Sequence, residues 1–135
     1  MPRFVCQVPV RWGDADAYGH INNVEQLRLL EEARVALFFV AARAEGISTF
    51  EGQLVVVSHT IEYKRPMYYR PEPLTIEVWV TKLAPSSVRI AYEVRDDSTV
   101  YALASSVLAA YDSGGSHVRR LNEAERSYLE KFRED

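Results

Sequence analysis

The sequence predicts an α+β fold in which one long helix packs against a five-stranded antiparallel sheet. A stretch without glycine or proline runs from Val24 to Glu45, enough for a helix of about 22 residues. Apolar and polar residues then alternate in several later segments, which is the pattern of strands with one buried face. Because a largely apolar helix has to be buried, we expect the sheet to wrap around it.

A polar turn separates this helix from a first predicted strand. The strand covers Phe4–Arg11, where β-branched residues and a proline favour an extended chain. Asn22 and Asn23 are good N-cap residues, and each is followed three residues later by Glu or Gln, a variant of the capping box. We therefore expect the helix to begin within a residue or two of Asn23 and to stop at Gly46.

The two halves of the predicted helix differ in polarity. The front half is amphipathic, with apolar residues at Val24, Leu27, Leu30 and Ala33. The back half, Val35–Ala42, is apolar all round, which predicts burial on most sides.

Four strands and a short helix are predicted to follow. The strands are Gln53–Lys64, Leu74–Lys82, a strand marked by Val88, Ile90, Tyr92 and Val94, and Thr99–Asp112. In the first of these, alternation puts one set of side chains on a single face: Val55, Val57, His59, Ile61 and Tyr63. The order of the last three strands predicts a meander. Asn122 and Glu125 form a capping box for a C-terminal helix whose predicted apolar stripe is Ala124, Tyr128, Leu129 and Phe132.

Length, composition and charge narrow the class of protein. Residues 1–135 are predicted to form one domain, able to bury about two-thirds of its unfolded surface. The net charge of −3 favours neither nucleic acid nor an acidic membrane as partner. The single cysteine, Cys6, excludes an internal disulfide, and the longest apolar run, Val35–Ala42, is too short for a membrane span. With no secretory leader evident, we expect a cytoplasmic protein.

The polar turn also matches most of a calcium-binding loop. Asp14, Asp16, Gly19 and Glu25 fit the pattern D-x-[DN]-x-[DN]-G-x5-E, but the third ligand position holds Tyr18. A loop of this type follows a helix, whereas the segment before this one is extended. The sequence contains no second copy of the loop. We predict no metal site and no cofactor.

The same turn has the components of a reactive centre. The first amides of the predicted helix point back at the turn, where they offer free N–H donors at the positive end of the helix dipole. A carboxylate held beside donors that can polarise a carbonyl is a candidate reactive group.

Several stretches together carry a family resemblance. The most specific is the run D-x-D-x-x-G-H-x-N-N from Asp14 to Asn23; weaker matches are Glu32-Ala33-Arg34, Ile61-Glu62-Tyr63-Lys64-Arg65-Pro66 and Pro85-Ser86-Ser87. From Phe4 to Asp112 the sequence resembles the hotdog-fold acyl-CoA thioesterases of the 4-hydroxybenzoyl-CoA thioesterase type. The resemblance implies a hotdog fold, in which a five-stranded antiparallel sheet wraps a long central helix. The family commonly has Tyr where this chain has Gln26, a departure that concerns the acyl pocket.

The resemblance implies hydrolysis of acyl-CoA or acyl carrier protein thioesters, with Asp16 as the catalytic carboxylate. The backbone N–H of Asn23 is expected to bind the thioester oxygen. Asp16 either attacks the carbonyl to give a mixed anhydride or activates a water as general base, and the sequence leaves both open.

The remaining candidates are assigned to substrate binding: Tyr18, Gly19, His20, Asn22, His59, Lys64, Arg65, Ser86 and Ser87. Structural roles compete with these assignments. Asp14 is interpreted as a turn-former, His20 either orients the loop or contacts substrate, and His59 fits a satisfied core histidine. The cations Lys64, Arg65 and Arg70 either meet coenzyme A phosphates or form a solvated strand end.

Two other functions stay open, and an oligomer is expected. The chain could be a non-catalytic acyl-binding module, or a hydratase or dehydratase that pairs Asp16 with His20 or His59. Because a wrapped sheet leaves open edges, we expect a homodimer or homotetramer. The resemblance then implies that Arg65, Ser86 and Ser87 face substrate from the partner subunit.

Overall fold

A five-stranded antiparallel sheet forms one layer of the computed structural model, which describes residues 3–51 and 53–134. Its strands are β1 (Phe4–Val8), β2 (Leu54–Tyr63), β3 (Leu74–Leu83), β4 (Ser87–Arg95) and β5 (Val100–Ala110). The order across the sheet is β1-β3-β4-β5-β2, so β3, β4 and β5 form the predicted meander and β1 and β2 are the edges. Strand β1 is shorter than predicted because the chain turns into a 3-10 helix at Trp12–Asp14.

One long helix, α1, covers residues 23–44 and confirms the predicted 22-residue element. It is α-helical over Asn23–Val35, π-helical over Ala36–Ala41 and α-helical again over Ala42–Ala44. The side chain of Asn22 caps its start by accepting a hydrogen bond from the Val24 amide at 2.8 Å. The expected capping box is wrong, since Glu25 accepts from the Arg28 side chain instead. Gly46, with φ +85°, follows the last turn.

The core lies between the inner face of the sheet and one side of α1. The alternation predicted for β3 is confirmed, because four of its side chains are fully buried: Leu74, Ile76, Val78 and Val80. They belong to the same cluster as four buried side chains of α1: Leu29, Leu30, Ala33 and Leu37. This packing fixes α1, and with it the polar turn at its start, against the sheet.

Burial of the back half of α1 on most sides is contradicted. Leu37, Phe38 and Ala42 are buried, but Val35 is half exposed and Val40 is 64% exposed. A single sheet covers only one side of a helix, so the opposite side of α1 stays open in one chain.

The single face predicted for β2 is also contradicted. A bulge between Val56 and Ser58 shifts the pairing with β5 by one residue. Past the bulge, His59 pairs with the buried Ser106. Val55, ahead of the bulge, pairs with Ala109 and so lies on the opposite face of the sheet from His59, and Val57 lies within the bulge.

A short C-terminal helix, α2 (Glu123–Glu130), packs across the sheet end. The predicted capping box is confirmed: the Asn122 side chain accepts from the Glu125 amide, and Glu125 accepts from the Asn122 amide, both at 2.8 Å. Tyr128 and Leu129 are buried, whereas Ala124 is exposed and does not belong to the apolar stripe. Among the helices described, none has the length and apolarity that crossing a bilayer requires.

Candidate active site

The polar turn folds as a small hairpin that presents Asp16. An isolated antiparallel bridge between Ala15 and Ile21 closes its neck, and the Asp16 amide donates to the His20 carbonyl at 2.8 Å. The Gly19 amide donates to the Asp16 carbonyl at 3.0 Å. Gly19 has φ +79°, a value that glycine adopts without the strain of a side chain. This turn fixes the backbone on both sides of the Asp16 carboxylate.

The Asp16 carboxylate is anchored by one oxygen only. Its Oδ1 accepts hydrogen bonds from the Tyr18 amide at 2.9 Å and from the His20 amide at 3.3 Å. No described residue donates to Oδ2. The side chain is therefore held in place while one oxygen remains available to a ligand or a water.

Asp14, two residues earlier, is engaged at both oxygens. It is 1% exposed. Its Oδ2 accepts from the Arg11 amide at 2.8 Å and from Arg28 at 2.6 Å, and its Oδ1 accepts from the Arg11 guanidinium. Burial disfavours the charged form, but the hydrogen bonds from Arg11 and the charge of Arg28 outweigh it and lower the pKa of Asp14. Asp14 thus ties the turn to the 3-10 helix and to α1.

The start of α1 faces the same region. No described residue accepts a hydrogen bond from the Asn23 amide, which leaves this donor free at the positive end of a 22-residue helix. The Tyr63 hydroxyl donates to the Asn23 carbonyl at 3.3 Å, which joins the end of β2 to the helix start.

Asp16 and Asn23 both line a cleft of about 420 Å³ between the turn, the start of α1 and the end of β2. Three predicted substrate-binding residues line it as well: His20, Lys64 and Arg65. Arg65 was expected to face substrate from a partner subunit, yet it lines the cleft of its own chain.

Five further lining residues were not predicted as site residues: Ile21, Gln26, Tyr63, Pro66 and Met67. Gln26 is one turn beyond Asn23 on α1, so its spacing already indicated the same face. Its Nε2 donates to the Ile21 carbonyl at 3.3 Å, and no described residue bonds its Oε1. The Met67 carbonyl accepts a hydrogen bond from the Ile21 amide at 2.6 Å. This contact spans 46 residues, so no local sequence pattern predicts it.

Three predicted residues belong to the turn without lining the cleft. Tyr18 is 83% exposed, Gly19 supplies the positive φ, and the Asn22 side chain caps α1. In one chain these residues shape the turn, and their assignment to substrate binding stays a prediction.

His59 lies about 13 Å along β2 from Tyr63, at about 3.3 Å per residue, and joins a separate, partly buried network. Its Nδ1 is 2.6 Å from the Ser106 hydroxyl, which is 2.7 Å from the Tyr92 hydroxyl, and Arg34 donates to Tyr92 at 3.1 Å. Desolvation, followed by the charge of Arg34, lowers the pKa of His59. The structure therefore supports His59 as a hydrogen-bonded structural histidine and does not bring it into the cleft. In one chain the residue is nevertheless exposed.

Ser86 and Ser87 are at the other end of the sheet. Ser87 pairs with Ala109, while Tyr63 and Val94 both pair with Ala102. Seven residues of β4 separate Ser87 from Val94, or about 23 Å. In one chain these serines are remote from Asp16, and their assignment to substrate binding depends on a second subunit.

A calcium loop of this type follows an α-helix, whereas this turn follows β1 and a single turn of 3-10 helix. Glu25 pairs with Arg28, and both Asp14 oxygens are engaged by arginines. Within residues 3–51 and 53–134, no three His, Cys, Asp or Glu side chains are grouped to hold a metal ion. That calcium does not bind remains a prediction.

Comparison with known proteins gives a family match over most of the chain. Residues 10–132 match the model of the thioesterase-like superfamily. No curated protein matches the sequence.

Solved structures share the fold along nearly the whole chain. A thioesterase from Thermus thermophilus, complexed with coenzyme A and Zn, superimposes with a TM-score of 0.79 at 28% identity, over 97% of this chain and 94% of that one. A predicted thioesterase from Bacillus stearothermophilus gives a TM-score of 0.83 at 21% identity, over 98% of both chains. The PA5185 protein from Pseudomonas aeruginosa also gives 0.83 at 21% identity, over 98% and 92%. The predicted hotdog fold is confirmed.

Proposed function

The chain belongs to the thioesterase-like superfamily, and on that basis we propose that it hydrolyses acyl thioesters with Asp16 as the catalytic carboxylate. One observation carries the assignment of the residue: Asp16, with a carboxylate oxygen that no described residue engages, lines the same cleft as Asn23, whose amide at the start of α1 is free. Asp14, the other carboxylate of the turn, has both oxygens committed to arginines.

The two groups have complementary roles in thioester hydrolysis. The Asn23 N–H donates to the thioester oxygen, which becomes negatively charged as the carbonyl carbon is attacked, and the dipole of α1 stabilises that charge. Asp16 Oδ2 then acts in one of two ways. It attacks the carbon, expelling the thiolate and leaving a mixed anhydride that water hydrolyses, or it removes a proton from the water that attacks. Both routes give free acid and thiol.

The proposed substrates are thioesters of coenzyme A or of acyl carrier protein. The structure from Thermus thermophilus holds coenzyme A, which supports this substrate class for a chain 28% identical to it. The proposal needs no metal or cofactor, because the carboxylate and the amide supply the nucleophilic and electrophilic functions. Gln26, buried in the cleft wall, leaves an amide oxygen free to contact the acyl group.

We also infer that two chains combine into a homodimer, alone or within a tetramer. The support is the open apolar side of α1 beside the unpaired edge of β2, where Val40 and Val57 are well exposed. A second chain at this surface would bring further residues towards each cleft.

Asp16→Asn tests the proposed function. The substitution keeps the size of the side chain and removes its charge, so kcat for thiol release from acyl-CoA should fall by about 10²- to 10⁴-fold. Asp14→Asn should change kcat of the folded protein by much less, since Asp14 contacts no ligand site. Asp112→Asn, in the loop after β5, controls for the loss of one negative charge.

The measurement is thiol release over short, long and aromatic acyl-CoAs, with the melting temperature and oligomeric state of each variant recorded. Near-full activity in a folded Asp16→Asn variant would contradict Asp16 as the catalytic carboxylate. An inactive but folded Asp14→Asn variant would contradict it as well.

The same assay separates the other candidate functions. His20 lines the cleft with Asp16, so a dehydratase acting here would use these two side chains as its acid and base. Incubation with a hydroxyacyl-CoA distinguishes the reactions, because dehydration changes absorbance without freeing thiol. A binding module would bind acyl-CoA with neither change.

A further inference from the structure

We propose that Gln26 makes the candidate active site selective for acyl groups that carry a hydroxyl close to the thioester carbonyl. The inference rests on the proposed thioester hydrolysis and names the class of acyl group that the site takes. Gln26 lines the cleft together with Asp16 and Asn23. Its side chain presents one hydrogen-bond acceptor that no described residue uses.

The side-chain amide of Gln26 has a fixed orientation. Its Nε2 donates to the Ile21 carbonyl at 3.3 Å, and because a carbonyl oxygen only accepts, the amide cannot present its own oxygen there. Ile21 is itself held in place, since its amide donates to the Met67 carbonyl at 2.6 Å. The Oε1 atom is therefore turned away from Ile21, as an acceptor whose direction the fold determines.

This acceptor is open to the cleft. Gln26 is 7% exposed, and no described residue donates to its Oε1. Within the part of the chain that the structure describes, every polar side-chain atom that a non-exposed residue seals from solvent has a hydrogen-bond partner. Since Oε1 has no partner, it is not sealed, and the surface it keeps is in the cleft that Gln26 lines. An acceptor in such a site favours a ligand that brings a donor over one that leaves it unpaired.

The enclosed end of the cleft suits the acyl group better than the arm that carries the thiol. Gln26 shares this end with Ile21 and Met67, which are 2% and 1% exposed. The rim contains Tyr63 and Lys64, which are both exposed. The thiol-bearing arm leads to a nucleotide or to a protein, so it has to leave through the exposed rim. The acyl group is then the part of the substrate that meets the enclosed wall.

The position of Gln26 on α1 sets the distance between the hydroxyl and the carbonyl. Gln26 follows Asn23 by three residues, so the two lie on one face of α1, about 4.5 Å apart along its axis. With the thioester oxygen at the Asn23 amide, a hydroxyl on the α- or β-carbon of the acyl group fits this spacing. A protonated amine fits less well, because the cleft lining contains two cations, Lys64 and Arg65, and one carboxylate.

The test compares 3-hydroxybutanoyl-CoA with butanoyl-CoA, which have the same carbon chain. In the wild-type protein, kcat/KM for thiol release should be roughly tenfold higher for the hydroxylated ester, the effect of giving a buried acceptor its partner. Gln26→Met keeps the length of the side chain and removes the acceptor, so kcat/KM for the two esters should become equal. Loss of the contact with Ile21 affects both esters alike and cancels in their ratio.

Gln7→Met is the matched control. Gln7 is exposed on β1 and does not line the cleft. Its Nε2 donates to Thr75 Oγ1 at 3.1 Å, so this substitution also removes one side-chain amide together with a hydrogen bond. The ratio of kcat/KM for the two esters should equal that of the wild type.

Calorimetry with S-(3-hydroxybutyl)-coenzyme A and S-butyl-coenzyme A separates this inference from the proposed function, because neither thioether can be hydrolysed. Tighter binding of the hydroxylated thioether, lost in Gln26→Met, would support the role of Gln26 even in a protein that releases no thiol, a result that would reject hydrolysis. Thiol release at the same kcat/KM from both esters by the wild type would overturn the role of Gln26. A preference that Gln26→Met leaves unchanged, with both esters slowed equally, would overturn it too, because Oε1 would then accept from the thiol-bearing arm.

Discussion

Asp14 and Asp16 are two residues apart, yet their carboxylates have different surroundings. Asp14 is enclosed by Arg11 and Arg28, whereas Asp16 is held by two backbone amides and keeps one oxygen open. The turn-former predicted at Asp14 is thus a buried ion-pair centre that joins three segments. Substitution of Asp14 should therefore lower the stability of the fold and change the reaction rate much less.

Asp14→Asn should lower the free energy of unfolding at pH 7 by about 2 kcal/mol, because Arg28 loses the counter-charge of a buried carboxylate. The pKa of Asp14 is lowered in the folded protein from its usual 3.8. Its contribution to stability is therefore present above that pH and is lost as the pH falls through the folded pKa. Urea unfolding at pH 7 and pH 3 should show a difference between wild type and variant that shrinks on acidification. The exposed Asp97→Asn is the control, with an expected change below about 0.5 kcal/mol. An equal difference at both pH values would contradict the ion-pair role.

At the scale of the element, the hairpin turn depends on the positive φ of Gly19. Gly19→Ala should cost about 1 kcal/mol and also reduce kcat/KM, since relief of the strained alanine would move the amides that hold Asp16. An added Cβ at Gly19 meets no atom within 4 Å, so backbone strain is the only cost. Gly13→Ala is a matched control, because Gly13 has equal space and no positive φ. Melting temperature and thiol release measure both variants; equal effects would mean that the φ of Gly19 is unimportant.

Elements with local determinants were predictable from the sequence. The start of α1 follows from Asn22, its end from Gly46, and the buried face of β3 from strict alternation. The bulge in β2 was not predictable, because it arises from pairing with β5 and leaves the local pattern of valines unbroken. The exposure of Val40 was missed for a similar reason. An apolar sequence indicates that a helix is buried, but it does not show whether its own chain or a second chain covers it.

The candidate site divides in the same way. Asp16, His20 and Asn23 are within eight residues of one another, so the turn that joins them could be inferred locally. Tyr63, at the end of β2, and Met67, in the segment that follows, reach the cleft through tertiary packing, for which the sequence near the turn carries no signal. Ser106 approaches His59 only because β5 pairs with β2, 47 residues away.

At the scale of the whole molecule, apolar residues are exposed along the β2 edge of the chain. Val35 and Val40 are exposed on α1, and Val57 is exposed on β2, a ten-residue edge strand. The other edge, β1, has only five residues. A long, unpaired, apolar strand tends to pair with another copy of itself, and a two-fold axis would bury both helices' open sides together.

We therefore expect the wild-type protein to sediment at about twice the 15.4 kDa mass of one chain, or a multiple of that, at micromolar concentration. Val57→Asp should shift it towards the monomer, because a charge would be buried in the new interface. Val57 is 62% exposed in a single chain, so the substitution should leave the folded chain itself stable. Val5→Asp on β1 is the matched control, with 53% exposure on the opposite edge, and should leave the oligomer intact.

Thiol release should fall with dissociation if Ser86 and Ser87 of a second chain complete each cleft. A wild-type monomer of 15.4 kDa that hydrolyses acyl-CoA would remove both the interface on β2 and the part proposed for these serines.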